Sequence, residues 1–223
     1  ASVAEKIKAA GSVLFTGEGS SRIFPAKNSI RRAFTDGIKL GTHTEGSRQA
    51  AMYDLSDTAV FCASNSGRTK EVVLLAKQLK AQGHGHVYAM TANNDTPLEK
   101  VCDETLVLKC GWENAVAATK SVVEQALIYE TVLHHVNGSL NTVDLHGLGD
   151  KLEAALTTDI DNSIVKQAVS APTIYFAGLN DGAAEELTLK TNEITRKKSD
   201  FLEGTYAVHG IEEVMSPDDI VFV

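Results

Sequence analysis

The 223-residue chain reads as an α/β protein built on a doubly wound, flavodoxin-like parallel sheet. Three observations predict this. Short continuous apolar runs recur, at Ser12–Thr16, Asp57–Ala63 and His86–Thr91. Stretches with helical spacing of apolar residues separate them. The runs end in glycine or small polar residues, where a strand turns into the next helix. A strand covered on both faces needs apolar side chains at successive positions, and parallel sheets flanked by helices bury both faces.

Taken in order, Ser12–Thr16 is the first strand and Arg22–Phe34 the helix after it. Lys39–Thr44 is a further strand, then Asp57–Ala63. Thr69–Gln82 is a helix with Val72, Val73, Leu75, Ala76 and Leu79 on its core face, and Gly83 stops it. His86–Thr91 and Thr105–Leu108 complete the sheet, and Ala115–Val136 is a long helix broken by Asn137-Gly138-Ser139. A helix over His146–Ser170 leads to a second βα pattern: strand Thr173–Gly178, helix Asp181–Lys197 and a final strand at Ile220–Val223. The expected organisation is a first domain over 1–137, a helical linker over 138–170, and the start of a second, incomplete α/β domain over 171–223.

Composition narrows the function. Apolar residues make up 43% and charged residues 22%, enough for a real core. Lys and Arg total 21 against 29 Asp and Glu, a net charge of −8. That opposes binding to nucleic acid or to anionic membranes, yet leaves room for a small anion held by backbone dipoles. No apolar run reaches the roughly 18 residues of a membrane span, and the N-terminal residues lack the apolar core of a secretory signal. Three cysteines, Cys62, Cys102 and Cys110, carry no C-x-x-C spacing. The expectation is a cytoplasmic protein with free thiols, no metal and no cofactor.

In such sheets ligands bind at the carboxyl ends of the strands, which directs attention to the loops after Thr16, Ala63 and Leu108. Ser64-Asn65-Ser66-Gly67-Arg68-Thr69 brings three hydroxyls and a glycine to a helix N-terminus. Free amides and the positive dipole end suit a phosphate there; the same residues would equally serve as plain helix caps. Gly17-Glu18-Gly19-Ser20-Ser21 also opens a helix, but Arg22 stands at the third glycine of a dinucleotide fingerprint, so a nicotinamide cofactor is not expected.

These segments together resemble the sugar isomerase (SIS) family, through S-x-S-G-x-T-x-E after one strand and G-x-G-x-S after the first. The resemblance is to tandem-SIS phosphosugar isomerases of the kind represented by the isomerase domain of glucosamine-6-phosphate synthase. It implies that Ser64, Asn65, Ser66 and Thr69 hold the phosphate of a phosphosugar and that Ser20 and Ser21 line the same pocket. Glu113-Asn114-Ala115-Val116-Ala117-Ala118-Thr119-Lys120 resembles the family's E-x-x-V-A-S-T-K, implying sugar contacts by Glu113 and Val116, with Ala118 in place of serine. Leu189-Lys190-Thr191-Asn192-Glu193-Ile194 resembles L-K-L-K-E-I, which makes Glu193 the base that moves a proton between C1 and C2. Val208-His209-Gly210 resembles K-H-G, which makes His209 the ring-opening group, acting from a neighbouring subunit. Ile211 replaces the family's proline, Tyr206 its acidic residue, and its C-terminal lysine has no counterpart here.

The implied activity is aldose–ketose isomerisation of a hexose or amino-sugar 6-phosphate through an enediol or enediolamine, in a homodimer that shares its sites. Deamination or deglycation of an aminated sugar phosphate, or sensing without turnover, are the alternatives. Read on their own, Glu193 is a solvated helix residue, His209 a surface histidine, and Glu113 a helix cap. His84, His86, His134 and His135 are expected to have no functional role. Trp112 packs at the pocket mouth or in the core.

Overall fold

The computed structural model describes residues 2–111, 113–140 and 144–223. Strands β1 (Ser12–Gly17), β2 (Gly41–Gly46), β3 (Ala59–Ala63), β4 (Val87–Thr91) and β5 (Glu104–Val107) form one sheet in the order β2-β1-β3-β4-β5. Every pair is parallel, and Phe15 lies between Thr44 and Phe61. The predicted doubly wound sheet is therefore present. Helices α1 (Val3–Ala10), α2 (Ile23–Thr35) and α5 (Lys120–Asn137) cover one face; α3 (Ser47–Ala50) and α4 (Lys70–Ala81) cover the other.

β3 explains the continuous apolar runs. Ala59, Phe61 and Ala63 face the α1, α2 and α5 side, while Val60 and Cys62 face α4. All five are buried, so neither face tolerates a polar side chain. Phe15, Phe61 and Tyr129 of α5 pack as one aromatic cluster, with Phe15 and Tyr129 tilted at centroids 4.2 Å apart and Tyr129 edge-on to Phe61. On the opposite face Leu75 is 1% exposed, whereas its neighbour Leu74 points outward at 54%.

Several elements depart from the sequence reading. α1 was not expected; Ser2 caps it through the Glu5 amide at 3.4 Å, and Gly11 ends it at φ +75°. α5 begins at Lys120, not Ala115. The helix expected over 146–170 is two, α6 (Leu145–Leu156) and α7 (Asn162–Ser170). Between them Thr157 and Thr158 turn their hydroxyls onto the carbonyls of Glu153 and Ala154, and Asp161 caps α7 through the Ser163 amide at 2.7 Å.

A second parallel sheet joins β6 (Ile174–Gly178), β7 (Ser199–Glu203) and β8 (Ile220–Phe222) in the order β7-β6-β8. β7 carries the sequence Ser-Asp-Phe-Leu-Glu with only Leu202 buried, so it has no apolar run to announce it. α8 (Ala183–Lys190) is shorter than the helix expected over 181–197 and passes into a single π-helical turn, Thr191–Thr195. Arg196 closes that turn in the left-handed region at φ +60°. Among the described residues no helix is long and apolar enough to cross a membrane.

α2 ties the two sheets together. Gly182, at φ +86°, lets the start of α8 sit on α2; a Cβ there would lie 2.6 Å from the Ile23 carbonyl oxygen. Lys27 donates to Asn180 Oδ1 at 2.9 Å and pairs with Glu185, and Arg31 pairs with Asp181 at 3.5 Å.

The burial contrast along α4 gives a direct check of the core. Leu75→Ala is expected to lower unfolding stability by about 2–4 kcal/mol, and Leu74→Ala to stay within about 0.5 kcal/mol of the parent, measured by urea denaturation.

Candidate functional site

In a 2-1-3-4-5 sheet the chain leaves β1 toward one edge and returns as β3 on its other side. The crevice between the loops after β1 and β3 is the switch point. Here the two strand ends abut. A Cβ on Gly17 would lie 2.9 Å from the Ala63 carbonyl oxygen and 3.0 Å from that of Ser21. Only glycine at position 17 lets the end of β1 turn this close to the end of β3.

The loop after β3 is braced from within. Ser64 is buried; its Oγ lies 2.8 Å from Thr69 Oγ1 and accepts from the Thr69 amide at 3.3 Å. Ser66 and Arg68 are exposed at the tip, with Ser66 Oγ accepting from the Arg68 amide at 3.2 Å. Asn65 holds the neighbouring turn, its carbonyl accepting from the Ala92 amide at 2.9 Å and from Asn93 Nδ2 at 3.2 Å. Its own Oδ1 is buried with no protein partner. Gly67 adopts φ +63°, and a Cβ there would meet the Thr96 side chain at 2.4 Å.

Plain capping does not describe this loop. Thr69 sits at the N-cap of α4 but makes no side-chain cap. Its hydroxyl is committed to Ser64. Among the described residues, the amides of Lys70, Glu71 and Val72 meet no acceptor. Three donors and the positive end of a 12-residue helix are therefore left open at the start of α4.

The loop after β1 reaches across to the second sheet. Ser20 Oγ accepts from Lys190 Nζ at 2.7 Å, and the same ammonium donates to Glu193 Oε2 at 2.7 Å. Glu186, one turn earlier on α8, sets a carboxylate oxygen 3.4 Å from Lys190 Nζ. Its residue is only 9% exposed, and neither carboxylate oxygen has a hydrogen-bond partner. Ser20 and Glu193, both implied by the resemblance, are thus joined through Lys190. Lys190 and Glu186 were missed as site residues, although the Glu-x-x-x-Lys-x-x-Glu spacing of 186, 190 and 193 places them on successive turns of one helix. Glu193 keeps 34% of its side-chain surface in solvent and lies in the π-helical turn, a local distortion that recurs at functional positions. Ser21 lies beside Ser20 in the same turn, its amide bonded to the Glu18 carbonyl at 3.3 Å.

Glu113 turns its carboxylate onto the start of α5. Oε1 accepts from the amides of Thr119 and Lys120 at 2.9 and 2.7 Å; Oε2 accepts from the Ser121 amide at 3.3 Å and from the Ser121 hydroxyl. Partial burial alone would raise its pKa. The Ser121 hydroxyl and the three amides outweigh burial and bring the group from 4.5 down to about 2. The cap also explains why the helix starts at Lys120. Val116 stands in the preceding loop, 99% exposed. His209 is exposed between two short 3₁₀ turns, and among the described residues its ring makes no hydrogen bond. Trp112 lies outside the described residues. His84 has a structural role: Nε2 donates to the Leu55 carbonyl at 2.8 Å while Nδ1 accepts from the His86 amide at 3.1 Å. His134 sits in an ionic cluster with Asp36, Glu130 and Arg32, away from these loops.

The sheet order, the abutting ends of β1 and β3 and the open α4 N-terminus define a flavodoxin-like α/β protein with an anion-ready switch point. The family profile of the SIS domain matches residues 6–135, more than half of the chain, and the chain belongs to that family. Comparison with curated protein sequences yields no match. Solved structures with the same fold include the C-terminal domain of glucosamine-fructose-6-phosphate aminotransferase from Francisella tularensis, at TM-score 0.78 and 17% identity, covering 98% of this chain and 65% of that one. Tagatose-6-phosphate ketose/aldose isomerase from Escherichia coli is similar at TM-score 0.77 and 16% identity, over 97% and 63% of the two chains. Glucosamine-6-phosphate deaminase from Thermotoga maritima is similar at TM-score 0.66 and 23% identity, over 98% and 68%. The present chain thus spans about two thirds of the length of these structures.

Two tests follow from the geometry. Gly67→Ala combines a left-handed φ with a clash, whereas Gly83→Ala, at φ +82° with nothing within 4 Å, meets only the backbone cost. Gly67→Ala is expected to cost about 1–3 kcal/mol more than Gly83→Ala, measured by denaturant midpoint. The Glu113 carboxyl is held below its ordinary value, so its contribution is complete above pH 4.5 and lost as pH falls toward 2. The stability gap between the parent and Glu113→Gln is accordingly expected to be largest near neutral pH and to close on acidification.

Proposed function

We propose that this chain binds a hexose or amino-sugar 6-phosphate and interconverts its aldose and ketose forms. The phosphate sits at the Ser64–Thr69 loop, held by the free amides of α4 with the Ser66 hydroxyl, the Asn65 Nδ2 amide and the Thr69 hydroxyl, which accepts from Ser64 Oγ and donates to the phosphate; Ser20 and Ser21 line the opposite wall. Anchoring the phosphate end fixes the register of C1 and C2 beneath Glu193. The Glu193 carboxylate takes the proton from one of these carbons and returns it to the other, passing through an enediol or enediolamine. The Lys190 ammonium, between Ser20 and Glu193, is placed to stabilise the oxyanion that develops as the proton leaves.

One observation carries this reading: the single Lys190 ammonium at 2.7 Å from both Ser20 Oγ and Glu193 Oε2, joining the first βα loop to the proposed base. The names of the three structural relatives, all acting on 6-phosphates of hexoses or amino sugars, support the substrate class. Glu113, as cap of α5, holds the loop bearing Val116 at the sugar end. Residues 1–137 serve as the phosphosugar-binding domain, 138–170 as linker and 171–223 as the part of a second unit that supplies Glu193. His209 acts across a homodimer to open the ring. The likeness to a glucosamine-6-phosphate deaminase favours amine loss from the same enediolamine as the second reading.

Proton NMR in deuterated water, with glucosamine 6-phosphate and separately fructose 6-phosphate, tests the proposal. Deuterium is expected to enter at C2 of the aldose and C1 of the ketose. Glu193→Gln is expected to slow this by roughly 10²–10⁴-fold while leaving inorganic phosphate binding unchanged. Released ammonia would mark the deaminase. Phosphate-dependent ligand broadening without any exchange would leave a sensor and overturn the isomerase reading.

A further inference from the structure

The site described above uses none of the three cysteines, yet the fold brings two of them together from distant parts of the sequence. Cys62 is fully buried in β3, on the face covered by α4. Cys102, half-buried in the turn that leads into β5, packs against the same cluster. The two side chains therefore meet in one buried cluster, and both thiols are free. Ala89, the β4 residue in register with Cys62, presents only a methyl group on this face. Cys110 stands apart after β5, its Sγ turned to the Gly111 carbonyl at 3.6 Å.

We propose that Cys62 and Cys102 are an oxidation site, a thiol pair that hydrogen peroxide converts into an intramolecular disulfide, reversed by thiol reductants. Cys102 reacts first because it alone reaches solvent. Its thiolate attacks a peroxide oxygen and the O–O bond breaks, leaving a sulfenic acid on Cys102 and, after protonation, one water. The Cys62 sulfur then attacks the Cys102 sulfur. The S–S bond forms, the S–O bond breaks, and the departing hydroxide takes the Cys62 proton as a second water. Two thiols are oxidised by two electrons and one peroxide is reduced. The contact with Cys102, together with burial, holds the Cys62 thiol well above its ordinary pKa, which suits Cys62 to this second role and not to the first. The bond would tie β3, two residues ahead of Ser64, to the turn that delivers β5.

The test uses the whole chain in native buffer with excess hydrogen peroxide, followed by blocking of remaining thiols and non-reducing tryptic peptide mapping. Cleavage at Arg48, Arg68, Lys100, Lys109 and Lys120 puts the cysteines in separate peptides, 49–68, 101–109 and 110–120. The expected main product links 49–68 to 101–109, is removed by dithiothreitol, and forms equally in Cys110→Ser. In urea the sequence neighbours Cys102 and Cys110 are expected to link instead, because the shorter loop closes at less entropic cost. Linkage of 101–109 to 110–120 in the native protein, over-oxidation of Cys102 with Cys62 still free, or no loss of thiols would each overturn the proposal.

Discussion

The close approach of β1 and β3 at their carboxyl ends is the constraint on which the candidate site depends. Gly17 must carry no side chain, because the Ala63 and Ser21 carbonyls already occupy the space. The parallel sheet sends every βα loop to one edge, but that alone would leave them spread along it. The close approach at Gly17 starts the Ser20–Ser21 turn and the Ser64–Thr69 loop from adjacent points on that edge. Ser64 then spends its hydroxyl on Thr69, which keeps the α4 amides open. A loop braced by its own hydroxyls is pre-organised for an anion in a way that a flexible loop is not.

The second constraint is electrostatic and lies between the sheets. Exposed ion pairs contribute little, since water screens them and ordering two long side chains costs entropy. Lys27 and Glu185 are each about four-fifths buried, and Lys27 also reaches Asn180 and lies 5.8 Å from the Phe201 ring centroid. Such contacts specify geometry more than they add stability. They set the pitch of α8 against α2, and α8 carries Glu186, Lys190 and, one turn beyond, Glu193. Glu186 shows what this arrangement costs: a nearly buried carboxylate with no hydrogen bond, tolerated beside one ammonium.

How much of this could be read from the sequence follows from where burial is symmetric. β3 and α4 were legible because both faces of Ala59–Ala63 are buried and Val72, Val73, Leu75, Ala76 and Leu79 repeat at helical spacing. β7 was not, since its one buried residue gives no pattern. The start of α5 was misplaced because propensity alone continues the helix back to Ala115, whereas the Glu113 cap fixes its start at Lys120. Ser20, Ser64, Thr69 and Glu193 were found as motif positions. Lys190 is not legible as a site residue, because its place rests on a contact with Ser20 across 170 positions that no local spacing encodes. The thiol pair was hidden for the same reason.

The aromatic core has a consequence for how the chain reaches this state. Phe15 and Phe61 lie on strands made early in synthesis, but the ring that covers them, Tyr129, belongs to a helix made much later. At roughly 5–20 residues per second, several seconds of translation separate Phe61 from Tyr129. Through that interval the nascent sheet presents an uncovered aromatic surface, bounded by strands whose edges are still unpaired. The vectorial order of synthesis therefore leaves these two rings without their cover until α5 emerges.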